Sequence, residues 1–149
     1  MGVPVWVRPR LVGLVAVGGA LGTGVREVVG LRLPSGVAWP WSLLFVNVTG
    51  AFGLALLTAL LAGRGAETPR RRDVRLAVGT GAFGAYTTYG SLAAQLDLMV
   101  RAGRPGPALA FALLSLAGGL FAGAVGFALA RSGRSVPASC ARPDHGEPL

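Results

Sequence analysis

Four stretches of the chain alternate apolar and small residues without a single charge: residues 11–25, 33–63, 76–96 and 105–130. A helix rises about 1.5 Å per residue, so roughly 20 residues cross the hydrocarbon of a bilayer. The last three runs are long enough alone. The first is long enough if Arg10 or Arg26 at its ends reaches back to the headgroups. The pattern predicts an all-α protein with four transmembrane helices, over residues 11–30, 40–63, 75–100 and 106–130. The intervening "RLPSGVAWP", "GRGAETPRRRD" and "RAGRPGP" have the Gly, Pro and Arg content of short loops. Residues 1–130 are read as one four-helix membrane domain. Residues 131–149, with little apolar surface to bury, are read as a disordered polar tail.

Composition supports this reading. Only 13% of the 149 residues are charged and 52% are hydrophobic, and the mean hydropathy is +0.60. A soluble domain carries about twice that share of charge. The net charge is +8, and all fourteen basic residues are arginine. In a soluble protein such an excess points to nucleic acid. Here the arginines separate apolar runs instead of lining one helix face, so they read as membrane flanks and no nucleic-acid partner is expected. Cys140 and His145, each alone of its type and in the tail, form neither an internal disulfide nor a metal cluster. A cleaved signal peptide is the competing reading of the N-terminus, but it leaves Arg26, directly after "GGALGTGV", without a role. Gly18 and Gly22, like Gly119 and Gly123, stand four apart and are expected to let helix backbones meet closely.

Polar residues inside the apolar runs carry the chemistry. Asn47, in "SLLFVNVTGAF", needs partners that lipid does not supply; it serves either as glue between helices or as an anion donor through its two N–H groups. Thr88, Ser91 and Gln95 fall at i, i+3 and i+7, one face of a helix. Gly81, Gly84 and the Thr87-Thr88 pair make "GAFGAYTT" a poor continuous helix, so a break at membrane depth is expected there. Carbonyls freed by such a break suit a hard cation. Glu27 and Asp97 lie near span ends, which leaves no mid-membrane acid for a proton-coupled exporter of cationic drugs or metabolites. There is no nucleophile-base pair and no phosphate-binding glycine loop, so the protein is not read as an enzyme.

These residues resemble the Fluc/CrcB fluoride channels. "GGALGTGVRE" is similar to that family's GGxxGAxxR, "SLLFVNVTGAF" to xTLxVNxxGSF, and "GAFGAYTTYGSL" to GFCGGFTTFSTF, in order along the first three spans. The resemblance implies an antiparallel, dual-topology dimer with two fluoride pores and a structural sodium ion at the dimer interface. It also implies passive export of fluoride from the cytoplasm, which reduces its toxicity. On the matching positions it makes Asn47 the pore asparagine, Arg26 the arginine of span one, and Gly84 and Thr87 the residues whose carbonyls hold sodium. Tyr89 and Leu92 stand where the family has its two pore phenylalanines, and Gly90 where it has serine. Thr88 and Ser91 join Asn47, Tyr89 and Leu92 as pore-lining residues. Fluoride is small and strongly hydrated, so a narrow path lined by amide, hydroxyl and ring-edge donors replaces its water and rejects larger anions.

Charge placement adds an expectation of its own. If both termini lie on one side, that side carries Arg8, Arg10, Arg64, Arg70, Arg71, Arg72, Arg75, Arg131, Arg134 and Arg142, against Arg26, Arg32, Arg101 and Arg104 on the other. Arginine excess marks the cytoplasmic face. The chain is therefore expected in the plasma membrane with its termini inside. The bias suits a heterodimer with an oppositely oriented second subunit better than a homodimer. The alternatives are a small four-helix drug or metabolite transporter and a non-conducting subunit paired with a conducting one.

Overall fold

The computed structural model of the chain describes residues 8–33 and 39–133. Cys140, His145 and most of the expected tail lie outside the described residues. Helix α1 (Pro9–Arg32) starts with proline in its first turn, where a missing N–H costs nothing. It runs 24 residues, straight through Arg26. Helix α2 (Trp41–Ala62) has 22 residues.

The stretch expected to be a loop up to Asp73 is helical from Pro69. Thr68 caps the helix α3 (Pro69–Val74), its hydroxyl accepting the Arg71 N–H at 3.3 Å. Threonine before proline is here a helix start and not a turn. The helix then widens into a π segment, π1 (Arg75–Phe83), and tightens again as α4 (Gly84–Tyr86). After an extended Thr87 and Thr88 come α5 (Tyr89–Arg101) and α6 (Pro105–Ser132). Gly103, at φ +74°, makes the turn between them. Helices α1, α2 and α6 are each long and apolar enough to cross a membrane. The composite from Pro69 to Arg101 packs beside them as the fourth member of the bundle, and no strand occurs among the described residues.

Two seams hold the bundle. In one, α1 lies against π1 and α4; in the other, α2 lies against α6. A Cβ added to Gly18 would stand 1.9 Å from the Ala77 carbonyl oxygen, and one on Gly22 would stand 2.1 Å from that of Ala82. The backbones touch there, as the glycine spacing predicts. Gly119 and Gly123 do not behave as expected. They sit over the methyl groups of Ala51 and Ala55 at ordinary distances of 4.0 and 3.9 Å. The tight position on that seam is Gly126, whose added Cβ would lie 2.5 Å from the Phe52 carbonyl oxygen.

Met99 and Phe111 are fully buried and, with Ala108, tie α5 to α6; Leu92, Leu96 and Trp39 pack around them. The outer face is apolar: Leu31 is 77% exposed and Phe121 73%. Such a surface is stable in lipid and not in water. The protein is a multi-pass membrane protein.

Candidate functional site

The fourth member of the bundle breaks at Thr87 (φ −76°, ψ 153°) and Thr88 (φ −149°, ψ 116°), both extended. The break is therefore two threonines wide. Gly84 keeps helical angles of −63° and −33°, and Gly81 is packed helix, its added Cβ lying 2.7 Å from the Val15 carbonyl oxygen. The glycines expected to break the helix serve other ends: Gly81 allows contact with α1, and an added Cβ on Gly84 meets nothing within 4 Å.

In an unbroken helix the Thr88 N–H would bond to Gly84, that of Tyr89 to Ala85, and that of Ser91 to Thr87. The Thr88 and Ser91 N–H groups and the Ala85 carbonyl have taken other partners. The Thr88 N–H donates to Asn47 Oδ1 at 2.9 Å, and Asn47 Nδ2 donates to the Thr88 carbonyl at 3.4 Å, so one amide clasps both polar groups of the exposed peptide. Thr88 Oγ1 accepts the Ser91 N–H at 3.1 Å and caps α5. Its proton goes to Ser91 Oγ, also at 3.1 Å. Arg26 donates to the Ala85 carbonyl at 3.0 Å. Its side chain turns toward the break and not along the end of the span. Thr87 Oγ1 folds back on the Phe83 carbonyl at 2.9 Å.

The carbonyls of Gly84 and Thr87 accept no hydrogen bond among the described residues. They are oxygen donors of the kind a sodium ion takes, and one chain offers only two, fewer than a hard cation needs. On the other side of the break, the first N–H groups of α5 form a positive helix end. The break thus sets a carbonyl end, suited to a cation, beside an N–H end, suited to an anion.

Two cavities flank it, and Thr88 borders both. The first, about 220 Å³, is lined by Arg26, Glu27, Ser42, Thr88, Ser91 and Gln95. Gln95 Nε2 is buried there without a partner. The second, about 500 Å³, brings together Asn47, Thr87, Thr88, Tyr89, Leu92 and Ser115. Of the sequence-derived residues, Asn47, Thr88, Tyr89 and Leu92 share this second cavity, while Ser91 and Arg26 border the first. Gly84 borders neither. Tyr89 is 83% exposed at the cavity's open side, whereas Leu92 packs inward on the Met99 and Phe111 cluster. Ser115 was not anticipated. Its Oγ is buried with no partner, a hydroxyl held inside an otherwise apolar helix. The signal was present, since Ser115 is the one polar side chain between Pro107 and Ala130.

The family model described as "CrcB-like protein, Camphor Resistance (CrcB)" matches residues 13–127. The chain belongs to the CrcB family. Among its relatives, "Fluoride-specific ion channel FluC 1" of Cutibacterium acnes is 44% identical over 115 residues, covering 75% of this chain and 79% of the relative. "Fluoride-specific ion channel FluC 2" of Leifsonia xyli subsp. xyli is 40% identical over 126 residues, covering 85% and 87%. "Fluoride-specific ion channel FluC" of Mesorhizobium japonicum is 38% identical over 122 residues, covering 80% and 94%. Every part of the break lies inside the matched region of this CrcB-family chain. The relatives are named as channels and not as enzymes, in keeping with the missing nucleophile-base pair.

Proposed function

We propose that this chain is a subunit of a fluoride-selective channel through which fluoride leaves the cytoplasm passively. The observation that carries the reading is the position of Asn47. It clasps the break with one N–H and its carbonyl oxygen, and its second N–H has no partner among the described residues and remains for an anion. Around it, the Ser115 hydroxyl, the Tyr89 ring and the N-terminal end of α5 supply further donors, and apolar walls keep the path narrow. The relatives' names supply the ion. The test is efflux from liposomes read with a fluoride electrode and, in parallel, a chloride electrode. Fluoride is released and chloride retained; Asn47→Asp, which sets negative charge on the path, abolishes release. Equal release of both ions overturns the reading.

The active form is a dimer of oppositely oriented subunits, with a structural sodium ion bound by the free carbonyls of Gly84 and Thr87 from each. Two carbonyls per chain support this, since a second subunit of the same kind doubles the donor set. When bound, the ion would neutralise the carbonyl end of the break; this chain's part is to keep both oxygens free, which Asn47 does for Gly84 by diverting the Thr88 N–H and the Thr88 hydroxyl does for Thr87 by diverting the Ser91 N–H. The partner is a second, inverted subunit and not a copy of this chain. The Arg10–Asp73 ion pair, at 2.6 Å, joins the start of α1 to α3 and gathers Arg8, Arg10 and Arg70–72 at one end. Arg26, counted on the other end by sequence, is spent inside the bundle. The remaining bias directs both termini to the cytoplasm. Reporters fused to the C-terminus are expected to signal from inside only; equal signals from both sides, with fluoride efflux from this chain alone, make the homodimer sufficient.

A further inference from the structure

Near the start of α1 lies a cleft of about 550 Å³, remote from the break, lined by Leu11, Val12, Val15 and Ala16 of α1 and by Arg72, Arg75 and Leu76. Three arginines at this end are engaged. Arg10 pairs with Asp73 at 2.6 Å, Arg75 with Glu67 at 2.7 Å, and Arg71 donates to the carbonyls of Arg64, Gly65 and Ala66. Among the described residues the Arg72 side chain makes no hydrogen bond and no ion pair, and its Nε is buried. Its terminal N–H groups, unpaired at the mouth of an apolar cleft, call for an acceptor from outside the chain.

We propose that this cleft binds an anionic phospholipid. The phosphate sits against Arg72 and the free edge of Arg75, a pairing the guanidinium fork suits. The upper acyl chain lies along Val12, Val15, Ala16 and Leu76. The dimensions agree: Leu11 to Ala16 covers about 7.5 Å of α1, the depth over which a bilayer passes from headgroup to hydrocarbon. A free phosphate would satisfy the arginine but leave the apolar wall bare. Charge complementarity extends beyond the cleft, since Arg8 and Arg70 stand at the starts of α1 and α3, at the same end of the bundle. The site needs only that the chain spans a membrane; it does not rest on fluoride conduction.

The test exposes the full-length purified protein, in its native assembly, to micelles of phosphatidylglycerol and phosphatidylcholine with identical acyl chains, and counts retained lipid by native mass spectrometry. Each arginine facing an anionic headgroup is worth about fivefold in binding. Phosphatidylglycerol is therefore retained at least about fivefold over phosphatidylcholine, and Arg72→Gln brings the ratio toward one. Ala16→Trp, which fills the cleft and leaves every charge in place, reduces retention of phosphatidylglycerol at unchanged helix content. Millimolar inorganic phosphate does not displace the lipid. Equal retention of the two lipids, or an Arg72→Gln protein with unchanged preference, overturns the proposal. Displacement by phosphate overturns it in favour of a simple anion site. If Arg72→Gln does not fold, Ala16→Trp decides alone: undiminished retention sinks the site.

Discussion

The seam between α1 and π1 and the break at Thr87-Thr88 lie within a few residues of each other, yet they are held by opposite means. At the seam, contact depends on side chains that are missing: Gly18 and Gly22 bring α1 onto the Ala77 and Ala82 carbonyls. At the break, order depends on side chains that are present: Asn47, Arg26 and the Thr88 hydroxyl replace the helical hydrogen bonds the backbone has given up. The first arrangement is steric and leaves no polar group to spare. The second is electrostatic, and it leaves two carbonyls, one amide N–H and a helix N-terminus available to ions. A fixed seam next to a polar break is what allows unpaired backbone to persist in lipid, where nothing else would satisfy it.

The largest effect separating the two regions is expected at the seam. Gly22→Val places a methyl-bearing carbon where the Ala82 backbone already is, and backbone cannot give way as a side chain does. A loss of about 3 kcal/mol or more is expected, read as aggregation on gel filtration or a fall in thermal stability. Gly123→Ala, over the Ala55 methyl, is the matched control and should stay within about 0.5 kcal/mol. Equal behaviour of the two variants would erase the distinction between tight and ordinary glycines.

Next comes Asn47, where stability and conduction can be pulled apart. Asn47→Ala leaves the Thr88 N–H without an acceptor, at a cost of about 1–3 kcal/mol, and abolishes fluoride efflux. Asn47→Asp keeps that acceptor, so it should fold more stably than the alanine variant while still failing to conduct. If the aspartate variant is the less stable of the two, the clasp on Thr88 is not what holds the break.

Arg26 should show a smaller effect. Arg26→Met strips the Ala85 carbonyl of its donor and is expected to cost about 1–2 kcal/mol in thermal unfolding, with Arg26→Lys recovering part of it. No recovery by lysine would mean that the fork geometry, and not the donor, matters.

The smallest change in stability is expected at Ser115. Its hydroxyl has no partner among the described residues, so Ser115→Ala should leave stability unchanged or raise it by about 1 kcal/mol, while fluoride efflux falls. A clear loss of stability would assign the hydroxyl to packing and remove it from the ion path.

Several of these features could be read from the sequence, and several could not. The four uncharged runs marked the members of the bundle, and Gly18 and Gly22 marked the close seam, because helix length and backbone approach depend on local composition. The break falls in the expected segment, at the Thr87-Thr88 pair but not at the two glycines named with it. Gly81 and Gly84 looked like helix breakers, whereas the helix parts at Thr87 and Thr88. What permits the break is Asn47, 41 positions earlier in the chain, and no local pattern reports a partner at that distance. Thr68 and Pro69 read as loop residues yet begin a helix, since threonine before proline suits a turn and a helix start alike.

By itself, then, the sequence determined where lipid meets the chain, which residue types enter the membrane, and that one span cannot be a regular helix, all of which follow from composition over a window of 20 residues. The tertiary structure alone decided which backbone groups were satisfied and which remained free. It turned Arg26 inward to Ala85, set Asn47 across Thr88, left Gly84 and Thr87 with open carbonyls, and put the Ser115 hydroxyl in the cavity that Asn47 and Thr87 border. The physical reason is that hydrogen-bond satisfaction in a bundle is a property of neighbours on different helices, and only packing brings those neighbours together.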